Sequence, residues 1–263
     1  MRDTARLDAE LLLSHVLQCD RVHLFMDLDK PLHAAEINAY REAVAERGRG
    51  CPVAYVCGTK EFYSLEFALS SDVLIPRPDT EHLVDQARKL SGGSCTSIID
   101  LGTGSGILAV CLAKYLNPAR VVAVDSSEAA LRIAKNNAAR LVPGTIVEFL
   151  LSDWWSAVEG QFAMVVSNPP YITAEEMETL DRGVAAYEPH TALLGGADGL
   201  ECYRNIFNGL DAHLLPGGLV LLEISDTVAE GVVSLARASG LTDIAVTEDF
   251  SGHQRVLSAR KVF

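Results

Sequence analysis

The chain has 263 residues, 49% hydrophobic and 22% charged, which allows a sizeable core in one large domain or two smaller ones. Its formal net charge is −13. Arg47-Gly-Arg49 is too short a basic run to offset this, so duplex DNA or long RNA, which binds surfaces that displace its counterions, is disfavoured as a partner.

No stretch approaches the length of an apolar membrane span, and the charged opening Met1-Arg-Asp-Thr-Ala-Arg-Leu-Asp-Ala-Glu10 does not read as a signal peptide. A cytoplasmic protein without membrane contact is expected. Six cysteines form no Cys-x-x-Cys pair and no zinc-spaced cluster with histidine. Reduced thiols and no metal are expected, with Cys111 in the core.

Residues 3 to 50 read as helical, with Ala9, Leu12, Leu13, Val16 and Leu17 on one face, a break at Pro31 and a second helix over Ala34–Arg47. From Val53 to Leu74 the pattern shortens, and Phe62, Leu65, Phe67 and Leu69 suggest short strands in a hairpin. Ile75-Pro-Arg-Pro-Asp79 is a stiff linker, because each proline also restricts its predecessor. A helix over Thr80–Leu90 follows.

After Gly92-Gly93 strand and helix alternate. Strands are expected at Ser97–Leu101, Val121–Asp125, Thr145–Leu150, Phe162–Ser167 and Leu219–Ile224. Helices are expected at Ile107–Leu116, Ser127–Leu141, Leu200–Leu214 and Thr227–Ala238. Two further strands, near Ile244–Thr247 and Val256–Ala259, close the chain. Such alternation implies an α/β fold, a mostly parallel sheet with helices on both faces.

Asp100-Leu-Gly102-Thr103-Gly104-Ser105-Gly106 joins the first of these strands to its helix. Glycines let the backbone turn sharply and approach a ligand, and the following helix offers free N–H groups to a negative group. A dinucleotide pyrophosphate and the carboxylate end of S-adenosylmethionine both suit such a loop. The spacing is G-x-G-x-G, not G-x-G-x-x-G, and the preceding aspartate suits an ammonium group, which favours S-adenosylmethionine. Asp125 ends the next strand, where it suits either ribose hydroxyls or the cap of the following helix. Asp153 suits an adenine amino group; Trp154 suits either the adenine ring or a buried sheet edge.

Asn168-Pro169-Pro170-Tyr171 follows the Phe162–Ser167 strand. The prolines stiffen the turn, and the asparagine carries both donor and acceptor atoms at a strand's C-terminal end, where open α/β sheets bind ligands. An amide so held can grip and aim another NH2 group.

Together, Asp100–Gly106, Ala123-Val-Asp125 and Asn168–Tyr171 resemble a class I S-adenosylmethionine-dependent methyltransferase. Leu74-Ile-Pro-Arg-Pro-Asp-Thr-Glu81, Glu188-Pro189 and Gly195-Gly-Ala-Asp-Gly-Leu200 narrow this. Over nearly the whole chain the sequence resembles the HemK-type protein-(glutamine-N5) methyltransferases, which methylate the glutamine of the Gly-Gly-Gln motif in peptide chain release factors. Adenine-N6 DNA methyltransferases share the Asn-Pro-Pro-Tyr segment. The chain departs from the family at Ser225, where glycine is usual, and at Gly252-His-Gln-Arg-Val256.

The resemblance implies a seven-stranded Rossmann-like sheet, a small N-terminal helical domain and a β-hairpin linker. The expected limits are 1–52 for a partner-binding helical domain, 53–79 for the hairpin and Pro-rich linker, and 80–263 for the methyltransferase domain. It also implies that Gly102 to Gly106, Asp125 and Trp154 line the cofactor, and that Asn168, Pro169, Pro170 and Tyr171 hold the substrate glutamine. On this reading Asp100, Asp153 and Asn168 also touch the cofactor. The Asn168 oxygen and Pro169 carbonyl accept the substrate's amide hydrogens, Tyr171 excludes water, and Arg77 either borders the cleft or stiffens the connector. The expected partner is a release factor bound by a monomer. The alternatives are an adenine-N6 nucleic-acid methyltransferase and a non-catalytic S-adenosylmethionine-binding partner of the translation machinery.

Overall fold

Helices α1 (Ala5–Leu17), α2 (Arg21–Met26), α3 (Ala34–Gly48) and α4 (Val53–Cys57) open the computed structural model, which describes residues 4–27 and 29–262. Residues 1–3 and 263, the outer ends of the expected domain limits, and Leu28 lie outside the described residues. Leu12 is buried, and Arg47 Nε donates to Asp8 Oδ2 at 2.8 Å, tying α3 to α1. Helix α4 departs from the extended reading of the chain after Val53. Pro52, with φ −57°, leads into it, and Gly58, left-handed with φ 69°, ends it after five residues.

The expected hairpin follows, with β1 (Thr59–Phe62) antiparallel to β2 (Leu65–Ala68). Its turn places Tyr63 and Ser64 at φ 51° and 58°, the primed geometry whose twist matches the strands. Neither residue is glycine, and the turn is held from outside: Tyr63 N donates to Glu81 Oε1 at 2.8 Å and Tyr63 Oη to Asp85 Oδ1 at 2.7 Å. Both carboxylates belong to α5 (Glu81–Leu90), which a 3-10 turn at Pro78–Thr80 introduces. The turn sits over buried Phe62 and Phe67, whose rings meet edge to face at 6.2 Å.

The remaining chain alternates as expected: β3 (Ser97–Leu101), α6 (Ile107–Leu116), β4 (Arg120–Asp125), α7 (Glu128–Leu141), β5 (Val147–Leu151) and β6 (Phe162–Ser167). Helices α8 (Ala174–Met177) and α9 (Arg182–Tyr187) are two short elements without a clear sequence pattern. Then come α10 (Glu201–His213), β7 (Leu214–Glu223), α11 (Ala229–Ala238), β8 (Leu241–Glu248) and β9 (Gln254–Lys261). Strand β7 begins five residues before the expected Leu219, because Pro216 and Gly217 form an irregularity that the ladder to β6 spans.

Seven strands pair in the order β5-β4-β3-β6-β7-β9-β8. The first five are parallel, and β9 runs antiparallel to both neighbours. Parallel strands covered on both faces read as continuous apolar runs. In β6 the side chains of Phe162, Met164, Val165 and Val166 are all wholly buried, sharing themselves between the cores on the two faces. From β3 the chain winds outward through β4 and β5, then returns to place β6 on β3's other side. The crevice at that reversal is where such sheets bind ligands.

Candidate active site

The C-terminal ends of β3 and β6 are pinned together by Ser167 Oγ, which donates to the Leu101 carbonyl at 2.6 Å. Beyond them a cavity of about 260 Å³ opens. Asp100, Gly102, Thr103, Gly104, Ser105, Asp125, Asp153, Trp154, Asn168 and Arg77 all line it, so one site gathers residues from five segments of the chain. Gly106 does not line it. Its φ is 85°, and a Cβ there would lie 3.1 Å from Ala134 Cβ, so this glycine lets the start of α6 pack against α7.

Asp100 is wholly buried at the end of β3. Its Oδ2 accepts from Thr103 Oγ1 at 2.6 Å and from Ala109 N at 3.1 Å, while Oδ1 has no partner among the described residues. Burial pushes its carboxyl up to about 7 against these two hydrogen bonds, and nearby Asp125 adds to the rise. Asp125 Oδ2 accepts from Gly104 N at 2.8 Å and its Oδ1 from Ser127 N at 2.9 Å. The cap of α7 is Ser127, whose Oγ accepts from Ala130 N at 3.2 Å. Asp125 instead fastens the glycine loop, and burial raises its carboxyl above the ordinary range.

The two adjacent tryptophans, both half-buried, face different surroundings. Trp154 lines the cavity with a left-handed backbone, φ 48°, a costly conformation for a bulky residue of the kind that collects at functional sites. Ser152 steadies that turn, accepting from Ala157 N at 2.9 Å and donating to the Trp154 carbonyl at 3.0 Å. Trp155 packs on α10, its Nε1 donating to the Ile206 carbonyl at 3.0 Å and its ring stacked on His213 at 4.8 Å.

A second cavity of about 150 Å³ adjoins the first. Asn168, Pro169, Pro170, Tyr171 and Arg77 line it, together with Glu223. Asn168, Arg77, Leu74, Pro170 and Ala192 border both cavities. Half-buried Asn168 donates from Nδ2 to Thr80 Oγ1 at 3.2 Å, which leaves its Oδ1 as the acceptor end of the side chain. Tyr171 is fixed by backbone: a Cβ on Gly195 would lie 2.6 Å from Tyr171 Cα, and one on Gly199 would lie 2.5 Å from the Tyr171 carbonyl oxygen. Ile172 N donates to the Leu193 carbonyl at 3.0 Å and Gly195 N to the Ile172 carbonyl at 2.8 Å. Burial pushes the Tyr171 phenol up to about 12.

Arg77 is an ion-pair partner as well as a wall of both cavities. Its Nη2 donates at 2.6 Å to Glu188 Oε1, and Glu188 Oε2 accepts from Ile75 N at 3.2 Å. Three other contributors escape a reading by motif. Asn137, wholly buried on α7, accepts from Ala68 N at 2.8 Å and donates to the Ala68 and Ser105 carbonyls at 3.0 and 2.9 Å, joining the hairpin to the glycine loop. Thr80 stands inside the Leu74–Glu81 segment, but nothing in that segment marks its contact with Asn168. Glu223 does carry a signal: it is an acid inside the apolar run Leu219–Ile224.

The unpartnered Asp100 Oδ1 and the glycine loop match a ligand with both an ammonium and a carboxylate group, and the donor set fits S-adenosylmethionine. Sheet order and site define a class I S-adenosylmethionine-dependent methyltransferase. Residues 2–58 match the family model described as PrmC N-terminal domain, and residues 79–184 match the Methyltransferase small domain. By sequence, the chain belongs to the family of release factor glutamine methyltransferases. It is 43% identical to that enzyme from Koribacter versatilis over 97% of this chain and 91% of the relative. It is 40% identical to the one from Rhodopirellula baltica over 98% and 90%. Among solved structures, a methyltransferase from Pyrococcus furiosus superposes with a TM-score of 0.58 at 18% identity, covering 85% of this chain and 98% of that one. A 16S rRNA methyltransferase from T. thermophilus, solved with AdoMet and guanosine, gives 0.57 at 20% identity, covering 77% and 49%. These structural likenesses establish the fold. No helix among the described residues is long and apolar enough to cross a membrane.

Proposed function

We propose that this chain methylates peptide chain release factors, transferring a methyl group from S-adenosylmethionine to the side-chain amide nitrogen (N5) of the glutamine in their Gly-Gly-Gln motif. The observation that carries this reading is the orientation of Asn168. Its NH2 is engaged inward on Thr80 and its Oδ1 is left for a donor, at the junction of two cavities. The larger cavity takes the cofactor, and the smaller takes the glutamine side chain.

On this reading Asp100 meets the cofactor's ammonium group, the backbone from Gly102 to Ser105 cradles its amino-acid end, Asp125 takes the ribose hydroxyls, and Asp153 and Trp154 hold the adenine. When bound, S-adenosylmethionine supplies a methyl group on a sulfonium. An amide nitrogen is a poor nucleophile because its lone pair is delocalised. Asn168 Oδ1 and the Pro169 carbonyl each accept one hydrogen of the substrate NH2, which aims the nitrogen and favours its pyramidal form. Tyr171 packs beside the glutamine and keeps water away. A carbon–nitrogen bond forms as the carbon–sulfur bond breaks, and the excess proton leaves to water. Alignment of this kind can contribute about 7–11 kcal/mol.

Residues 1–52 serve as the partner-binding domain and 53–79 as its connector. The exposed Val22, Phe25 and Met26 on α2 support this division.

The test uses labelled S-adenosylmethionine with intact release factor, a Gln→Ala version of its Gly-Gly-Gln motif, and DNA. Label confined to the intact factor is expected. Label on DNA, or none anywhere, overturns the reading. Asn168→Ala is expected to lower turnover by roughly 10²–10³-fold with cofactor affinity retained, since it removes one preorganised partner of the reacting group.

A further inference from the structure

The turn between β8 and β9 carries a feature that methyl transfer leaves unused. Phe250 stands in this turn with its side chain fully exposed. The ring of His82 on α5 lies 5.3 Å away, tilted by 59°, and covers almost none of it. A single apolar residue on a surface is ordinary. The framework that holds this one out, and the place it occupies, are not.

Three carboxylates build the framework. Asp249, whose side chain is 7% exposed, accepts from Ser251 N at 2.8 Å, His253 N at 3.0 Å and Arg255 Nε at 2.8 Å. Asp226, just after β7, accepts from Gln254 N at 2.8 Å and lies 2.7 Å from His253 Nδ1. Asp79, in the Pro-rich linker, pairs with Arg255 Nη2 at 3.0 Å. The turn is therefore fastened to itself, to the end of β7 and to the linker. A residue already held in one backbone conformation loses little further freedom when a partner covers it, so binding there costs less.

The turn also stands at the substrate end of the sheet. Val256 on β9 pairs with Glu223 on β7, and Glu223 lines the smaller cavity. The β8–β9 ladder continues only to Gln254, about 7 Å further along the strand, before the turn begins. Asp79 is two residues from Arg77, which lines both cavities. A glutamine whose side chain fills the smaller cavity leaves its flanking backbone at the mouth, beside this turn.

We infer that Phe250 is a docking anchor for the protein substrate: its ring is covered by an apolar side chain on a basic face of the release factor, next to the loop that carries the glutamine. The inference rests on the functional reading above and gives Phe250 a part in binding and none in methyl transfer. Charge selects the partner's chemistry. Asp79, Asp226 and Asp249 frame the turn against one arginine, Arg255, with His253 beside them, on a chain of net charge −13. An apolar residue ringed by carboxylates is complementary to an apolar residue ringed by lysine or arginine.

The experiment measures release-factor methylation at saturating S-adenosylmethionine for wild type, Phe250→Ala and Ile146→Ala, with Tm and sedimentation on the same preparations. Ile146 is an exposed apolar residue at the N-terminal end of β5, away from the crevice, and serves as the control. Truncating an aromatic anchor is expected to raise KM for the release factor roughly tenfold or more, with kcat, cofactor affinity and Tm unchanged. Calorimetry with a Gln→Ala release factor and enzyme loaded with S-adenosylhomocysteine should show the same loss directly as affinity. Ile146→Ala should behave as wild type. Unchanged KM and affinity in Phe250→Ala overturn the inference, as does an equal loss in Ile146→Ala or a loss confined to kcat or Tm. A wild-type dimer that Phe250→Ala turns into a monomer also overturns it, because a second copy of the chain would then cover the ring. If wild type itself leaves the release factor unlabelled, it is the functional reading that fails, and this inference falls with it.

Discussion

Asp100 has a pH dependence whose sign follows from its surroundings. Burial raises its carboxyl from 3.8 to about 7, so between these values the folded chain keeps a proton that the unfolded chain has released. The group therefore favours folding at low pH, and its contribution falls as pH rises from about 4 to about 7. A cationic ligand prefers the ionised form. Affinity for S-adenosylhomocysteine, which keeps the ammonium group, is expected to rise with pH across this window and level off above it. Calorimetric titrations on Asp100→Asn should show weaker binding and a flattened pH slope; an undiminished slope would remove Asp100 from the ammonium site. Asp100 and Glu223 each carry one buried side-chain oxygen without a partner among the described residues, on strands either side of β6.

At the scale of elements, close backbone contacts hold the site's shape. Gly195→Ala is expected to push Tyr171 and its turn aside, because the added carbon would lie 2.6 Å from Tyr171 Cα. Turnover should fall tenfold or more while cofactor affinity holds, about the effect of a small misplacement of reacting groups. Asn137→Ala leaves Ala68 N, Ala68 O and Ser105 O without their buried partner and should cost about 2–4 kcal/mol, read by denaturant unfolding. Such contacts explain what the sequence disclosed and what it withheld. The alternating strands, the loop from Asp100 to Gly106 and the turn at Asn168 are local patterns, and their residues meet at one crevice. Helix α4 was hidden because five apolar residues suit a helix as well as a strand. Gly195 and Gly199 stood in a recognisable motif, but the reason for them, the approach of Tyr171, joins segments far apart in sequence. Thr80 and Asn137 do their work only through partners that folding delivers.

Across the whole molecule, the Arg77–Glu188 pair ties the Pro-rich linker to the segment after α9. The Glu188 side chain is 1% exposed and Arg77's is 36%, so the pair is buried at one end and open to solvent at the other. Arg77→Ala strands a buried carboxylate and is expected to cost about 2–3 kcal/mol, less than a fully buried pair would. This should lower Tm by several degrees, about 2–4 °C per kcal/mol at this size. Replacing both partners, Arg77→Met with Glu188→Gln, should recover much of the loss; an equal deficit in the double variant would point instead to lost packing of the arginine stem. The net charge of −13 acts over the same scale. A basic protein substrate should show kcat/KM falling as salt rises, while affinity for the small cofactor stays nearly constant.

The wall shared by the two cavities also bears on inhibition. Leu74, Arg77, Asn168, Pro170 and Ala192 line both spaces, so the two cavities adjoin along these residues. A single molecule carrying an adenosine-like half and a carboxamide half on a short tether could occupy both at once. Its second half would then bind at the high effective concentration that a matched linker confers. Lengthening the tether beyond that span should lose the gain steadily, so a series of tether lengths becomes a ruler for the passage beside Asn168.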